Sequence, residues 1–370
     1  MLQDRHQLEN GSELIIDDKK YRILELMSES GASCLVYKAE HLSSERTEKG
    51  CRRDPVNENL PEVVIKEFYP SELSAYITRK GVELYVSQQG TERFCDEKTM
   101  FCSGLARQVA FTHNSCESTL GQPDVFVDKN GTAYSILRLA NGVTLKKAVE
   151  RKKPSLFSAY EIAQIMTSLC NTIGELHTWN QLYLDIKPDN VFLFDKIVGV
   201  RRRIALFDFD TVFIKGALPP IEFKRFSEGW SPFEQCMWDT DKITETADVY
   251  AIGAIFYWLL TGEKVTRDLL GSIFRSDFSF LYKADTLAGK DDAINSAKKI
   301  LACTLKREPS KRTSNLGKLV YMFEDLENSS NDGGLTYHEQ HFTGLPDTWI
   351  NNYNMELSLR NRQKQIKGGK

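Results

Sequence analysis

The stretch from Thr246 to Gly262, TADVYAIGAIFYWLLTG, constrains this chain most, because at helical spacing it is apolar on nearly every side. Such a helix has to be enclosed by other elements. Its apolar run, around Val249 to Leu260, is too short to span a bilayer, so the enclosure must be protein. Asp248 stands at its start, where a carboxylate is costly unless several donors reach it. A chain of 370 residues, 41% hydrophobic and 27% charged, can build that enclosure and still divide into two lobes or domains. Its net charge of -3 gives no overall pull toward nucleic acid or an anionic membrane. With no leader and no membrane segment read, a cytoplasmic location is expected. The eight cysteines include no CxxC pair and read as free thiols.

A second constraint is chemical. Between the apolar runs of LYLDIKPDNVFLF, Leu182 to Phe194, lie Asp185, Lys187, Pro188, Asp189 and Asn190, so a carboxylate, an ammonium and an amide are held by rigid neighbours. Those groups suit phosphate and a hard metal ion.

Residues 1–20 read as a polar lead-in. YRILELM and CLVYKAE then read as two strands joined by a turn containing Gly31. After an exposed insert near residues 41–61, EVVIKEF is a strong strand with Lys66 in its middle. An ammonium in an internal strand needs an anionic partner, whereas an edge lysine would reach water. In the helix TERFCDEKTMFCSGLARQ, Glu97 falls inside the apolar pattern and is preferred over Glu92 as that partner. The insert between them, near residues 69–90, has room for a short hairpin or flap. VFVDKNGTAYSILRL is a hairpin about Asn130-Gly131, and Asn141-Gly142 breaks the chain after it. Helix follows: Ser158 to Glu161 is a capping box, and Ile162, Ile165, Met166, Leu169, Ile173 and Leu176 line one face. VFLF and RIALFDFD form a further hairpin about a turn containing Gly199, leading to Asp208. From about Ser329 onward the chain reads as linker and tail.

Taken in order, Gly31, Lys66, Glu97, Asp185, Lys187, Asn190, Asp208, Glu234, Asp248 and Arg312 resemble the pieces of the protein-kinase fold over roughly residues 20 to 327. The chain is similar to bacterial Ser/Thr protein kinases of the Hanks kind, with IKEFYPSEL, RFCDE and GWSPFEQ resembling one subgroup of them. The resemblance implies an α+β, bilobal fold: an N-lobe of antiparallel sheet plus one main helix over residues 21–140, a mostly helical C-lobe over 141–327, and a tail over 328–370. It implies ATP with magnesium, or manganese, as cofactor and protein Ser/Thr hydroxyls as acceptors, and leaves the oligomeric state open; no nucleic-acid partner is expected, on the net charge. Carried across, Gly31 and Val36 would lie over ATP, and backbone groups of Leu137, Arg138, Leu139 and Ala140 would meet adenine. Lys66 would bind phosphates and pair with Glu97, Asp185 would accept the hydroxyl proton, and Lys187 would steady the phosphoryl group. Asn190 and Asp208 would hold the metal, Glu234 would pair with Arg312, and Asp248 would fix the catalytic loop.

Several positions depart from the family pattern. Tyr183-Leu184 replaces His-Arg before the catalytic Asp, so the arginine that would bind a phosphorylated activation segment is missing and activity is expected without that modification. Asp208-Phe209-Asp210 replaces Asp-Phe-Gly, and the lid keeps only Gly31 of its three glycines, with Glu29 and Cys34 at the other two positions. Thr211, Ser227 and Ser231 are either autophosphorylation sites or ordinary surface hydroxyls. The leading reading is an active Ser/Thr protein kinase. A pseudokinase acting as an ATP-binding scaffold and a small-molecule kinase of the same fold are the alternatives.

Overall fold

Alternating apolar and polar residues in the first third of the chain pair into sheet, and helical periodicity takes over after it. The computed structural model describes residues 5–16, 18–29, 32–42, 62–114, 125–138, 140–151, 157–197, 200–217 and 224–330. The chain divides into a large unit, residues 1–195 and 202–330, and a small one, residues 196–201 and 331–370. Every regular element among the described residues belongs to the large unit.

The N-terminal lobe contains β1 (Glu13–Ile16), β2 (Lys19–Ser28), β3 (Cys34–Leu42), β4 (Glu62–Phe68), β5 (Ile77–Lys80), β6 (Glu83–Val86), α1 (Thr91–Asn114), β7 (Val125–Lys129) and β8 (Thr132–Arg138). Six of the strands form one antiparallel sheet in the order β1-β2-β3-β4-β8-β7. β5 and β6 make a separate hairpin within the insert that follows β4. Phe94, Phe101 and Leu105 of α1 pack with Ile65, Phe68 and Ile136 of the sheet. Because side chains alternate across a strand, Lys66 and Glu67 leave β4 on opposite faces.

The first 20 residues do more than lead in. β1 pairs with β2, and Leu8, Leu14 and Ile16 are buried in the N-lobe core. ELII does not alternate in sequence, because the outward-facing Ile15 is apolar like its buried neighbours; the neighbouring strand is what makes it a strand.

The C-terminal lobe begins with β9 (Gly142–Thr144), α2 (Leu145–Arg151), α3 (Ala159–Thr178), β10 (Gln181–Leu182), β11 (Val191–Phe194), β12 (Ile204–Leu206) and β13 (Phe213–Ile214). It continues with α4 (Phe233–Met237), α5 (Glu245–Thr261), α6 (Arg267–Phe274), α7 (Asp291–Thr304) and α8 (Leu316–Ser329). The Ser158–Glu161 capping box starts α3, and its predicted apolar face is fully buried. From Thr246 to Leu260 of α5 every residue except Trp258 is buried, as an all-round apolar helix requires. β11 pairs with both β12 and β9, which sets residues 183–190 between two short sheets at the edge of the helical core. Among the described residues, no helix is long and apolar enough to cross a membrane.

Candidate active site

The buried charge at the start of α5 organises the loop beside it. One Asp248 oxygen accepts the Leu184 N–H at 2.8 Å, and the other accepts the Tyr183 N–H at 3.0 Å and lies 2.8 Å from His177 Nε2. Three partners thus satisfy a carboxylate that water does not reach. The same bonds hold Leu184 at φ 61, a left-handed conformation that costs a branched residue about 1–3 kcal/mol. The Gln235 amide reinforces the bend by donating to the carbonyls of Leu184 and Arg225. Tyr183, in the place of the expected His, is fully buried, with its ring edge-on to Phe209 at 5.6 Å and its hydroxyl donating to the Phe207 carbonyl.

The bend presents Asp185. Its Oδ2 accepts from Lys187 Nζ at 2.7 Å and from Asn190 Nδ2 at 2.8 Å, and its Oδ1 accepts from Ser227 Oγ at 2.8 Å. Lys187 Nζ also donates to Ser227 Oγ at 3.3 Å. Burial pushes the Asp185 carboxyl above the usual carboxylate value, and the Lys187 ammonium and the Ser227 hydroxyl pull against that rise. Asn190 gives its amide donors to Asp185, leaving Oδ1 with no donor among the described residues. Ser231 and Thr211 are not idle surface hydroxyls either: Ser231 Oγ accepts the Ser227 N–H at 2.9 Å, and Thr211 Oγ1 donates to the Tyr183 carbonyl at 3.1 Å.

Across the cleft, Lys66 sits opposite Val36 in the β3–β4 pairing, and its ammonium lies 3.8 Å from Asp208 Oδ1. Burial pulls the Lys66 pKa down, but Asp208, Cys34 and Asp210 together outweigh it and leave the group above its ordinary value. The expected Lys66–Glu97 pair is not formed. Glu97 is held instead by Arg93 Nε at 2.9 Å, one turn earlier on α1, and Arg93 also pairs with Glu72 of the insert. An i,i+4 arginine satisfies Glu97 locally, and Asp208 stands nearer to Lys66.

Asp210 accounts for the setting of α1. Half-buried beside Asp208, its carboxyl is pushed well above the usual range, first by loss of solvent and then by the neighbouring acid. It packs on Gly104, where an added Cβ would stand 2.7 Å from Asp210 Oδ1, 2.8 Å from its Cα and 2.9 Å from its N. Gly104 lies two helical turns from Glu97, on the same face. Gly104→Ala is therefore expected to destabilise the protein by about 1–2 kcal/mol, the clash with backbone outweighing the roughly 1 kcal/mol gained in helix propensity. Urea unfolding checks this, and a stabilised variant would contradict it.

The remaining predicted positions lie as follows. Leu137 is buried and pairs with Val64, Arg138 closes β8 opposite Val63, and Ala140 follows just before β9. Gly31 and Leu139 lie outside the described residues. Glu234 and Arg312 are both buried and meet fork to fork, at 2.5 Å for Nη1–Oε1 and 3.0 Å for Nη2–Oε2. The same guanidinium donates to the carbonyls of Thr246, Lys306 and Arg307. The sequence reading missed the roles of Gln235, His177 and Gly104, and had no signal that Ser227 touches Asp185. GWSPFEQ was the nearest pointer, since it fixed the segment though not its contacts.

Residues 110–323 match the family model of the protein kinase domain. That range takes in Asp185, Lys187, Asn190, Asp208, Glu234, Asp248 and Arg312, and begins after Lys66 and Glu97. A calcium/calmodulin-dependent serine/threonine-protein kinase of Malus domestica is 24% identical over 52% of this chain and 44% of its own length. A calcium and calcium/calmodulin-dependent serine/threonine-protein kinase of Pisum sativum is 26% identical over 52% of this chain and 35% of its own. The chain thus spans less than half the length of these relatives. Among solved structures, the apo form of PpkA-294 shares the fold at a TM-score of 0.61, with 20% identity over 87% of this chain and 99% of that one. The PknI kinase domain of Mycobacterium tuberculosis, as a double mutant, gives 0.51 with 16% identity over 88% of this chain and all of that one.

Proposed function

This chain belongs to the protein kinase domain family, and we propose that it is an active Ser/Thr kinase that transfers the γ-phosphoryl group of ATP to protein hydroxyls. One observation carries the reading: Asp185 Oδ1 already accepts a hydrogen bond from a seryl hydroxyl at 2.8 Å, with Lys187 3.3 Å from the same oxygen. A carboxylate and an ammonium meeting on one hydroxyl oxygen is what a phosphoryl acceptor requires. A protein kinase domain implies ATP and a divalent metal in general; the donors here, Asn190 Oδ1 and the Asp208 carboxylate, are hard oxygens that fit magnesium, with manganese as the alternative.

In this reading Asp185 orients the acceptor O–H and takes its proton as the oxygen attacks the γ-phosphorus and the bond to the β-phosphate oxygen breaks, releasing ADP. Lys187 offsets charge on the transferring group, and Lys66 holds the α and β phosphates. Asn190 and Asp208 would hold the metal, which supplies charge neutralisation on the phosphates. Label from radioactive ATP on Ser or Thr of a generic protein acceptor tests the reading. No transfer with either metal would remove it, and label on a small molecule alone would favour the small-molecule alternative.

A non-turnover ATP-binding scaffold is the second reading, favoured by Arg93 occupying Glu97. Arg93 is more than half exposed, so freeing Glu97 costs under about 1 kcal/mol of stability. Arg93→Ala is accordingly expected to hold or raise kcat/KM, by up to roughly threefold, by releasing Glu97 toward Lys66. A drop in activity would place the Arg93 pair in the working arrangement instead. With Leu184 where an arginine would read a phosphorylated segment, phosphatase treatment should leave activity intact, and its loss would refute that independence.

A further inference from the structure

We propose that Arg5 is a positioning residue for nucleotide binding, acting through the lid rather than touching ATP. This rests on the kinase reading of the cleft. The lid limb that enters β3 does not stand free. Tyr69 N donates to the Ser33 carbonyl at 2.9 Å and Ser71 N to the Ala32 carbonyl at 2.8 Å, so the limb runs paired with the chain leaving β4. Where these chains lie together, Arg5 Nη1 donates to both, to the Cys34 carbonyl at 3.1 Å and the Tyr69 carbonyl at 3.0 Å. One side chain from the N-terminal segment thus fastens the root of the lid.

The segment is itself anchored. Leu8 is 2% exposed and its N–H donates to the Tyr37 hydroxyl at 3.0 Å, while the His6 carbonyl accepts from Arg79 Nε of the insert hairpin at 2.6 Å. Arg79 reaches on to Glu67 at 2.6 Å, and the fully buried Glu67 also accepts from the hydroxyls of Tyr37 at 3.1 Å and Tyr134 at 3.0 Å. Glu67 is the residue after Lys66. The N-terminal segment, the insert hairpin, the lid root and the lysine strand are consequently one bonded assembly.

The physical consequence is preorganisation. Cys34 stands where the family carries a lid glycine, so the limb has less backbone freedom to settle onto phosphates after they arrive. Holding it in place beforehand removes an ordering cost from binding. Arg5→Ala in the full chain should weaken magnesium-ATP affinity by roughly 3- to 10-fold, with kcat at saturating ATP within about twofold of wild type. Arg5→Lys should keep most of the affinity, because a single nitrogen bridges both carbonyls. Hydrogen exchange without nucleotide should quicken at residues 32–36 in the alanine variant and stay unchanged in α5. If the alanine variant folds poorly, Arg5→Gln is read in the same way. ATP affinity equal to wild type in the alanine or glutamine variant, or a loss confined to kcat, overturns the proposal. Absence of ATP binding by the wild type would overturn it together with the kinase reading, and is distinguished by preceding any substitution.

Discussion

Asp185→Asn is expected to reduce phosphoryl transfer to protein by a factor on the order of 100 to 10,000 while leaving ATP affinity within about twofold. The substitution keeps the shape of the side chain and one acceptor oxygen, so Lys187 and Asn190 retain their acceptor and the Ser227 hydroxyl oxygen can accept from the new amide. What it removes is a base able to hold the proton of an acceptor hydroxyl. Single-turnover transfer of the labelled γ-phosphoryl, set beside nucleotide binding, separates the two quantities. Equal activity in the variant would mean that Asp185 is not the base. Parallel loss of ATP binding would mean that its role is structural.

Arg312→Leu should cost about 3–5 kcal/mol of stability, because it strands the Glu234 carboxylate in a site only 3% exposed. For a domain of this size that corresponds to a fall in Tm of roughly 10 °C. Adding Glu234→Leu should return at least half of the loss, since the penalty comes from an unpaired buried charge more than from the missing attraction. Thermal and urea unfolding of the two variants would check both steps. A double variant as unstable as the single one would assign the cost to the three carbonyls that Arg312 serves.

Groups that act through identity at a fixed spacing were legible in the sequence. Asp185, Lys187 and Asn190 fall within one turn of chain, and α5 announces its own burial by composition. Contacts that depend on distant segments were not. The Arg93–Glu97 pair has a legible i,i+4 spacing, but nothing local says that Lys66 takes Asp208 instead of Glu97, because that choice is set by where α1 comes to rest against Asp210. Arg5 meets Tyr69 across 64 residues and Ser227 meets Asp185 across 42, separations over which periodicity carries no information. The strand Glu13–Ile16 was passed over for the same reason: its partner, rather than its pattern, defines it.

The neighbours Lys66 and Glu67 also bear on how faithfully the sheet assembles. One aims its ammonium at the cleft and the other seats its carboxylate among Arg79, Tyr37 and Tyr134 on the far side. A one-residue slip of β4 in one direction would set Glu67 among the cleft acids, and in the other would set Lys66 against the Arg79 guanidinium. Either misalignment would then bring like charges together on one face and leave the other site without its charge. The two charges therefore act as a register lock, and neutralising Glu67 would weaken discrimination against the slipped sheet as well as the native one's stability.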